Sequence, residues 1–258
     1  MKTQQDYRKL GCIECASGAG LDFDFTMAFQ PIVNTTTQVV FAYEALVRGL
    51  NQETAEQIFA QINETNRYRF DQSCRTKAIK LAAELGMPSF LSINFLPNAV
   101  YRPELCIQTT LDAAETFGFP IEKIIFEITE GEKIEDKNHV REIVEYYKAK
   151  GFKTAIDDFG AGYAGLNLLA EIQTDIIKLD MAIIRHIDHD RIRQAIVKGI
   201  IQVCRELSIT VIAEGIETQD ELKTLQDFGI ELFQGYYFAK PGFQCLPEIS
   251  PDVFSRKN

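Results

Sequence analysis

The chain has 258 residues, of which 46% are hydrophobic and 25% are charged, and its formal net charge is -10. This length is long for one ordinary domain but usual for a single α/β barrel. The acidic balance argues against binding to a DNA or RNA duplex, and no apolar run reaches the roughly 18 residues of a membrane span or resembles a secretory signal, so a cytoplasmic protein without membrane insertion is expected.

The first part of the chain, residues 1–22, is predicted to be an irregular lead-in, and residues 23–258 are predicted to form one barrel domain. Cys12 and Cys15 form a C-x2-C pair in the lead-in, which supplies only half of a tetrahedral zinc site. Six cysteines spread over this length are not a disulfide framework. A frayed terminal tail and a redox or metal element both stay open for this segment.

Two β-rich runs follow, Thr26 to Val33 and Gln38 to Val47. Asn34 to Thr37 separates them and has the composition of a hairpin turn. From Glu53 to Gly86 the apolar residues recur at helical spacing, and Gly86 is expected to end that helical region.

A repeated strand-helix pattern fills the rest of the chain. Strands are predicted at residues 89–94, 124–130, 153–158, 175–180, 210–215 and 231–236, with helices behind them at about 98–117, 137–150, 163–171, 187–207 and 219–228. The strands are mostly apolar on both faces, which is typical of a parallel sheet covered by helices. We therefore expect an α/β fold closed into a barrel, in which the opening hairpin contributes one antiparallel strand.

The fifth strand ends in two adjacent carboxylates, Asp157 and Asp158, which are followed by Gly160 and Gly162. Successive side chains of a strand point to opposite faces, so Asp158 is expected beyond the end of the strand, in a loop that glycine lets bend. Two acids aimed at one place repel each other, and a positive group is expected between them. The alternative is a pair of N-cap residues opening a helix at about Tyr163.

Polar residues occur at the ends of the predicted strands from the second onward, where the active sites of such barrels lie. They are Glu44, Asn94, Glu127, Asp157, Asp158, Lys178, Glu214 and Gln234. Carboxylates with an amide oxygen, and no His or Cys among them, suit Mg²⁺ or Mn²⁺ better than Zn²⁺. The acids exceed what one cation needs, so we predict a two-metal site acting on a phosphodiester, with Lys178 and Arg48 as fixed positive charges.

These residues also carry a family resemblance. Glu44-Ala45-Leu46-Val47-Arg48 resembles the signature of the EAL domain, the family of cyclic di-GMP phosphodiesterases, and the similarity extends from about Thr26 to Pro241. Further motifs match in order: Ser92-Ile93-Asn94, Glu127-Ile128-Thr129-Glu130, Asp157-Asp158-Phe159-Gly160, Lys178-Leu179-Asp180, Ala213-Glu214-Gly215-Ile216-Glu217 and Gln234-Gly235-Tyr236. The resemblance implies a modified TIM (β/α)8 barrel that hydrolyses the bacterial second messenger cyclic di-GMP to linear pGpG, using two Mg²⁺ or Mn²⁺ ions.

The resemblance also implies a role for each matching position. Metal ligands would be Glu44, Asn94, Glu127, Asp157 and Asp158; catalytic residues Lys178 and Glu214; substrate-binding residues Gln30, Leu46, Arg48, Asp180 and Gln234. Glu130 would steady the loop from Phe159 to Gly165, and Glu214 could be a general base or a metal ligand. A homodimer is implied as well, and a regulatory protein partner is plausible.

The loop departs from the family pattern, because Ala161 and Ala164-Gly165 stand where many members carry Thr and Ser-Ser. No expected ligand is affected. The main alternative is a catalytically silent receptor for cyclic di-GMP, or a protein-interaction module. An unrelated metal-dependent barrel acting on another phosphate ester remains a third possibility.

Overall fold

The computed structural model describes residues 21–100, 102–128, 136–161 and 165–255. The predicted lead-in, with Cys12 and Cys15, lies almost entirely outside these ranges, so the domain boundary at residue 23 stays a prediction. The strands are β1 Phe25–Asn34, β2 Val39–Gly49, β3 Phe90–Phe95, β4 Ile124–Ile128, β5 Lys153–Phe159, β6 Ile176–Leu179, β7 Thr210–Ala213, β8 Leu232–Gln234 and β9 Gly242–Phe243.

Strands β1 to β8 close into a barrel. Strands β2 to β8 lie side by side in chain order and parallel to one another. Strand β1 lies between β8 and β2 and is antiparallel to both, while β9 pairs with β1 outside the barrel. The α/β barrel with one antiparallel strand near the N-terminus is therefore confirmed.

The hairpin that joins β1 to β2 is held by Asn34. Its side-chain oxygen Oδ1 accepts hydrogen bonds from the backbone N–H groups of Thr36 and Thr37, each at 2.9 Å. This local Asx turn reverses the chain and so sets β1 beside β2 in antiparallel orientation.

Helices cover the outside of the barrel. They are α1 Ala55–Phe59, α2 Arg67–Glu84, α3 Pro103–Cys106, α4 Gln108–Phe117, α5 Lys137–Ala149, α6 Leu166–Glu171, α7 Met181–Ile184, α8 Arg191–Glu206, α9 Gln219–Asp227 and α10 Asp252–Ser255. Short 3-10 turns occupy Pro97–Ala99 and Ile121–Lys123. None of the helices in the described ranges is long and apolar enough to cross a membrane.

Two of the predicted helical regions are broken, and a third is shorter than predicted. Between α1 and α2, the side chain of Asn66 bonds to the backbone of Asn63 and Gln61, which competes with helical hydrogen bonds. Pro103 holds Arg102 in an extended conformation, so a new helix starts at the proline. The predicted helix at residues 187–207 starts only at α8, with α7 as a separate turn before it.

The barrel interior begins with a floor of apolar side chains. Its members are Ile32, Ala42, Ile125, Ala155, Ile176, Ile212 and Leu232, all of them buried. A larger hydrophobic cluster includes strand residues of the opposite face, such as Phe126 and Ile177, and helix residues such as Ile79 and Ile143. The floor closes the lower end of the barrel, which leaves its upper end for polar side chains.

Candidate active site

A polar layer lies directly above the apolar floor because strand side chains repeat every two residues. Each floor residue is followed, two positions further toward the upper end, by a predicted site residue: Ala42 by Glu44, Ile125 by Glu127, Ala155 by Asp157, Ile176 by Lys178, Ile212 by Glu214 and Leu232 by Gln234. In the antiparallel strand β1 the same step leads from Ile32 back to Gln30. The register of the barrel thus brings these side chains together.

Lys178 is at the centre of this layer and is only 1% exposed. Its ammonium nitrogen Nζ lies 2.7 Å from Glu214 Oε1, 2.9 Å from both Glu127 Oε2 and Asp157 Oδ1, and 3.3 Å from Glu44 Oε2. A positive group is expected between Asp157 and Asp158, and of these two acids Lys178 contacts Asp157. Four carboxyl groups share one positive charge, so the site would carry an excess of negative charge if all four were ionised.

The environment raises the pKa of the lysine and of two of its acidic neighbours, for different reasons. Burial disfavours the charged lysine, but the carboxylates, with Asp157 first, raise the pKa of Lys178 well above its ordinary value. Burial also raises the pKa of Glu127 and Glu214 well above the ordinary range, although Lys178 opposes the shift. Lys178 is therefore a fixed positive charge. One lysine cannot neutralise four carboxylates, so the site favours the binding of additional positive charge, such as a cation.

Both carboxylate oxygens of Glu44 are held by amides. Asn94 Nδ2 donates to Glu44 Oε1 at 2.8 Å, and Gln234 Nε2 donates to Glu44 Oε2 at 2.7 Å. Gln234 Nε2 also donates to Gln30 Oε1 at 3.2 Å. Burial opposes ionisation, yet Lys178 and the two amides hold the pKa of Glu44 below its ordinary value. Gln234 thus contacts a predicted metal ligand besides lining the predicted substrate cleft.

Ser92 is a site residue to which the sequence analysis gave no role. Its hydroxyl group donates a hydrogen bond to Glu127 Oε1, and both residues are fully buried. Ser92 precedes Asn94 by two residues on β3, so the two-residue repeat that located the other side chains could have located it.

The oxygen donors fit divalent cations. Two groups of acids have carboxylate oxygens within 4.8 Å of one another: Glu44 with Glu127 and Asp157, and Asp157 with Asp158 and Glu214. The side-chain oxygen Oδ1 of Asn94 is buried and accepts no hydrogen bond among the described residues. Asp157 belongs to both groups, which suits a carboxylate shared by two ions.

Asp158 reaches the site in a different way from the one predicted. Strand β5 does not end before it but continues to Phe159, with a shift of its pairing to β6 between Ile156 and Phe159. Asp158 itself has a positive φ of 52°, which turns its side chain from the opposite face toward the site. The N-cap alternative is wrong, because α6 starts at Leu166 and its N-cap is Gly165.

Burial raises the pKa of Asp158 to about 7, and the neighbouring charges of Asp157 and Asp180 add to the shift. Asp180 also caps α7, since its side chain accepts a hydrogen bond from Ala182 N at 2.7 Å. The mouth of the barrel is thus acidic where Asp158 and Asp180 meet, and a bound cation would be stabilised there.

An open cleft of about 450 Å³ lies above the polar layer. Among the predicted substrate-binding residues, Gln30, Asp180 and Gln234 line it. Met181, Glu217 and Tyr236 line it as well, and the sequence analysis gave them no role. Met181 begins α7, and Glu217 and Tyr236 lie in loops after β7 and β8, so the two-residue repeat of the strands does not apply to them.

The remaining predicted residues lie at the edge of this site or outside it. Leu46 lines a neighbouring, mainly apolar cavity of about 540 Å³, which also contacts Glu44. Arg48 shares a strand face with both residues, but its Nη1 donates to Val47 O at 2.6 Å and it lines neither cavity as the described residues form them. Glu130 and residues 162–164 of the loop lie outside the described ranges.

The chain resembles known proteins over most of its length. A family model described as EAL domain matches residues 20–241. A standalone versatile EAL protein from Vibrio cholerae O395, solved in its c-di-GMP bound form, is 60% identical, with a TM-score of 0.89 over 92% of this chain and 100% of that chain. The manganese/cy-diGMP complex of Klebsiella pneumoniae BlrP1 at pH 6 is 37% identical, with a TM-score of 0.82 over 87% of this chain and 57% of that chain.

Curated relatives are longer proteins. The blue light- and temperature-regulated antirepressor BluF of Escherichia coli K12 is 35% identical over 225 residues, which are 86% of this chain and 56% of BluF. Other relatives are named as established or probable cyclic di-GMP phosphodiesterases. The chain spans about half the length of BluF and less than half of these phosphodiesterases.

Proposed function

Because the chain belongs to the EAL domain family, we propose that it is a phosphodiesterase that hydrolyses cyclic di-GMP to linear pGpG with two Mg²⁺ or Mn²⁺ ions. The observation that carries the proposal is Asp157, a carboxylate shared by two groups of acids that surround Lys178. The c-di-GMP bound form of the Vibrio protein and the manganese complex of BlrP1 support the substrate and the type of cofactor.

The cations would be held by Glu44, Asn94, Glu127, Asp157 and Asp158. Divalent cations at such a site lower the pKa of water and neutralise charge that develops on the attacked phosphate. The chain fixes the positions of its donors in advance, because both oxygens of Glu44 are held by amides and Glu127 is held by Ser92 and Lys178.

Hydrolysis to pGpG breaks one P–O3′ bond of the ring while water adds to the phosphorus. Lys178 stays protonated among its acids, so it would stabilise negative charge in the transition state rather than take up a proton. Glu214 contacts Lys178 at 2.7 Å and belongs to the second acid group, so it would either accept the proton of the water or hold a cation. The cleft above the acids leaves room for the dinucleotide.

The substrate would contact Gln30, Leu46, Arg48, Asp180 and Gln234. Arg48 is only partly buried, and its bond to Val47 O is at the rim, so the guanidinium group can turn toward a phosphate at small cost. The apolar cavity beside Leu46 and the polar cleft beside Gln234 lie on either side of Glu44. Glu130 would steady the loop that follows Asp158.

The first test is incubation of the chain with cyclic di-GMP and Mg²⁺ or Mn²⁺, followed by chromatography. We expect pGpG from the wild type, and none with EDTA or from Glu44→Ala. Glu84→Ala, which removes an exposed acid of α2 in an ion pair with Lys80, is the matched control and should stay active. If cyclic di-GMP binds to the chain but is not cleaved, the chain is a catalytically silent receptor and the proposed activity is wrong.

We also propose a homodimer. On α8, the side chains of Ile192 and Ile196 are 74% and 48% exposed and lie one turn apart, with Leu207 exposed further along. Gly199 lies between Ile196 and Leu207, and no atom lies within 4 Å of the place where a Cβ would be, so a second helix can approach closely. Light scattering should give a dimer for the wild type and a monomer for Ile192→Glu. The cytoplasmic location and a regulatory partner stay predictions.

A further inference from the structure

A buried carboxylate outside the acid layer joins two of the loops that carry site residues. Glu221, in the first turn of α9, is only 2% exposed. Its Oε2 accepts hydrogen bonds from the backbone N–H groups of Glu217, at 3.2 Å, and Thr218, at 3.3 Å. Its Oε1 accepts from the backbone N–H of His186, at 3.2 Å, and from Arg185 Nη1, at 3.4 Å. One side chain therefore binds both segments.

Only half of this arrangement is explained by helix capping. Thr218 is the N-cap of α9, and Glu221 is the partner that completes a capping box by binding the N-cap backbone. A capping box uses one oxygen of that partner, and glutamine serves equally well in it. The second oxygen of Glu221 instead binds the segment after β6, about 35 residues earlier in the chain.

The two segments contact each other around this carboxylate. We call residues 180–186 the β6 segment and residues 214–218 the β7 segment. Arg185 Nη2 binds Glu217 Oε1 at 3.0 Å. A Cβ on Gly215 would lie 2.4 Å from Met181 Cβ, so the segments touch at a point where only glycine fits.

The β6 segment needs support at this point. His186 has a positive φ of 61°, a conformation that costs a non-glycine residue free energy, and its N–H is the group that donates to Glu221. Glu214 begins the β7 segment, just after β7 ends, so its direction depends on that segment. Asp180 begins the β6 segment, and Lys178 lies two residues before it on β6.

We propose that Glu221 is a positioning residue that holds Glu214 against Lys178 by fixing the β7 segment to the β6 segment. This inference rests on the proposed phosphodiesterase function. Glu221 does not reach the cleft itself. We call the connection that Glu221 makes between the β6 segment and the β7 segment the joint. Loss of the joint allows Glu214 to move, and a small displacement of a reacting group lowers the rate of the chemical step more than the affinity for substrate.

Glu221→Gln tests the joint without destroying the capping box. Glutamine offers one acceptor oxygen, and its NH₂ group then faces backbone N–H donors, so one of the two segments is released. Thr218→Ala is the matched control, because it removes the side-chain cap of the same helix and leaves the carboxylate with both segments. The two variants should lose similar thermal stability.

Steady-state hydrolysis of cyclic di-GMP and amide hydrogen exchange are measured for both variants. We expect kcat of Glu221→Gln to fall on the order of tenfold with KM nearly unchanged, and Thr218→Ala to keep kcat within about twofold. The amides of His186, Glu217 or Thr218 should exchange faster in Glu221→Gln only.

Each failure is recognisable. Equal kcat values for the two variants, in a chain whose wild type is active, would overturn the positioning role. Unchanged amide exchange in Glu221→Gln would overturn the joint itself, whatever the activity. A wild type that binds cyclic di-GMP but never cleaves it would overturn the proposed function, and with it a role for Glu221 in the reaction.

Discussion

Replacement of Lys178 by methionine is the most informative perturbation of the acid layer. Methionine keeps the volume of the side chain and removes the ammonium group that contacts Glu44, Glu127, Asp157 and Glu214. We expect the metal-free variant to be much less stable than the wild type, because buried carboxylates are left without their partner. A divalent cation should restore part of the loss.

The size of the effect follows from the burial of the lysine. Removing one partner of a buried ion pair costs about 3–5 kcal/mol, and Lys178 and Glu127 are each only 1% exposed at their side chains. For a chain of this size, each kcal/mol lowers the melting temperature by roughly 2–4 °C, so a fall on the order of 10 °C is expected. The acids that lose the lysine can take up protons, which limits the loss at low pH.

Thermal unfolding in EDTA and then in excess Mn²⁺ measures both parts. Lys137→Met is the matched control, since its ammonium group lies 3.0 Å from Glu171 but both partners are about half exposed, and such pairs contribute at most about 1 kcal/mol. The reasoning would be refuted if Lys178→Met melted in EDTA within 2 °C of the control. It would also fail if Mn²⁺ stabilised the wild type more than the variant, because removal of the positive charge of Lys178 should make the site bind cations more tightly.

Three further changes test other parts of the site. Ser92→Ala removes the hydroxyl that donates to Glu127, and should cost about 1 kcal/mol in urea unfolding and lower kcat, with unchanged kcat as the contrary result. Gly215→Ala should cost about 1–3 kcal/mol in urea unfolding, because φ is 65° and the new methyl group meets the Cβ of Met181. Adding Met181→Ala should recover little of this loss, because alanine keeps that Cβ, and full recovery would contradict the clash. Asp158 has a folded pKa of about 7, above its unfolded value, so its protonation stabilises the metal-free fold at low pH, and this contribution is lost as the pH rises to 7. In urea unfolding with EDTA, Asp158→Asn should therefore reduce the fall of the unfolding free energy between low pH and pH 7. An unchanged pH dependence would contradict the prediction.

The barrel and most of the polar layer could be predicted from local pattern alone. Parallel strands bury both faces, so an apolar run that ends in a polar residue is readable in a single sequence. Ile125 with Glu127, and Ile176 with Lys178, show the pattern: an apolar floor residue, then a polar residue two positions on. The strand register brings equivalent positions of neighbouring strands to the same height, and the polar residues therefore form one layer.

The parts that could not be predicted depend on contacts between distant segments. Asp158 enters the site through a positive φ and a shift of strand pairing, and neither has a local signal that distinguishes it from a strand end. The bond between Arg48 and Val47 O depends on how the end of β2 is exposed. Glu221 looks like an ordinary capping residue in the sequence, and only the folded chain brings His186 to its second oxygen.

The excess of acid in the polar layer connects the stability of the barrel to its proposed chemistry. Buried carboxylates are unfavourable unless a positive charge neutralises them, and Lys178 alone contacts four of them. Burial therefore raises the pKa of Glu127 and Glu214, and cations that replace their protons gain affinity from the same excess charge. A barrel built with fewer acids would be more stable without metal, but it would bind cations less tightly. Proton release on Mn²⁺ binding, measured by calorimetry in buffers of different ionisation enthalpy, should consequently fall in Glu127→Gln, and equal proton release would show that these acids are already ionised before metal binds.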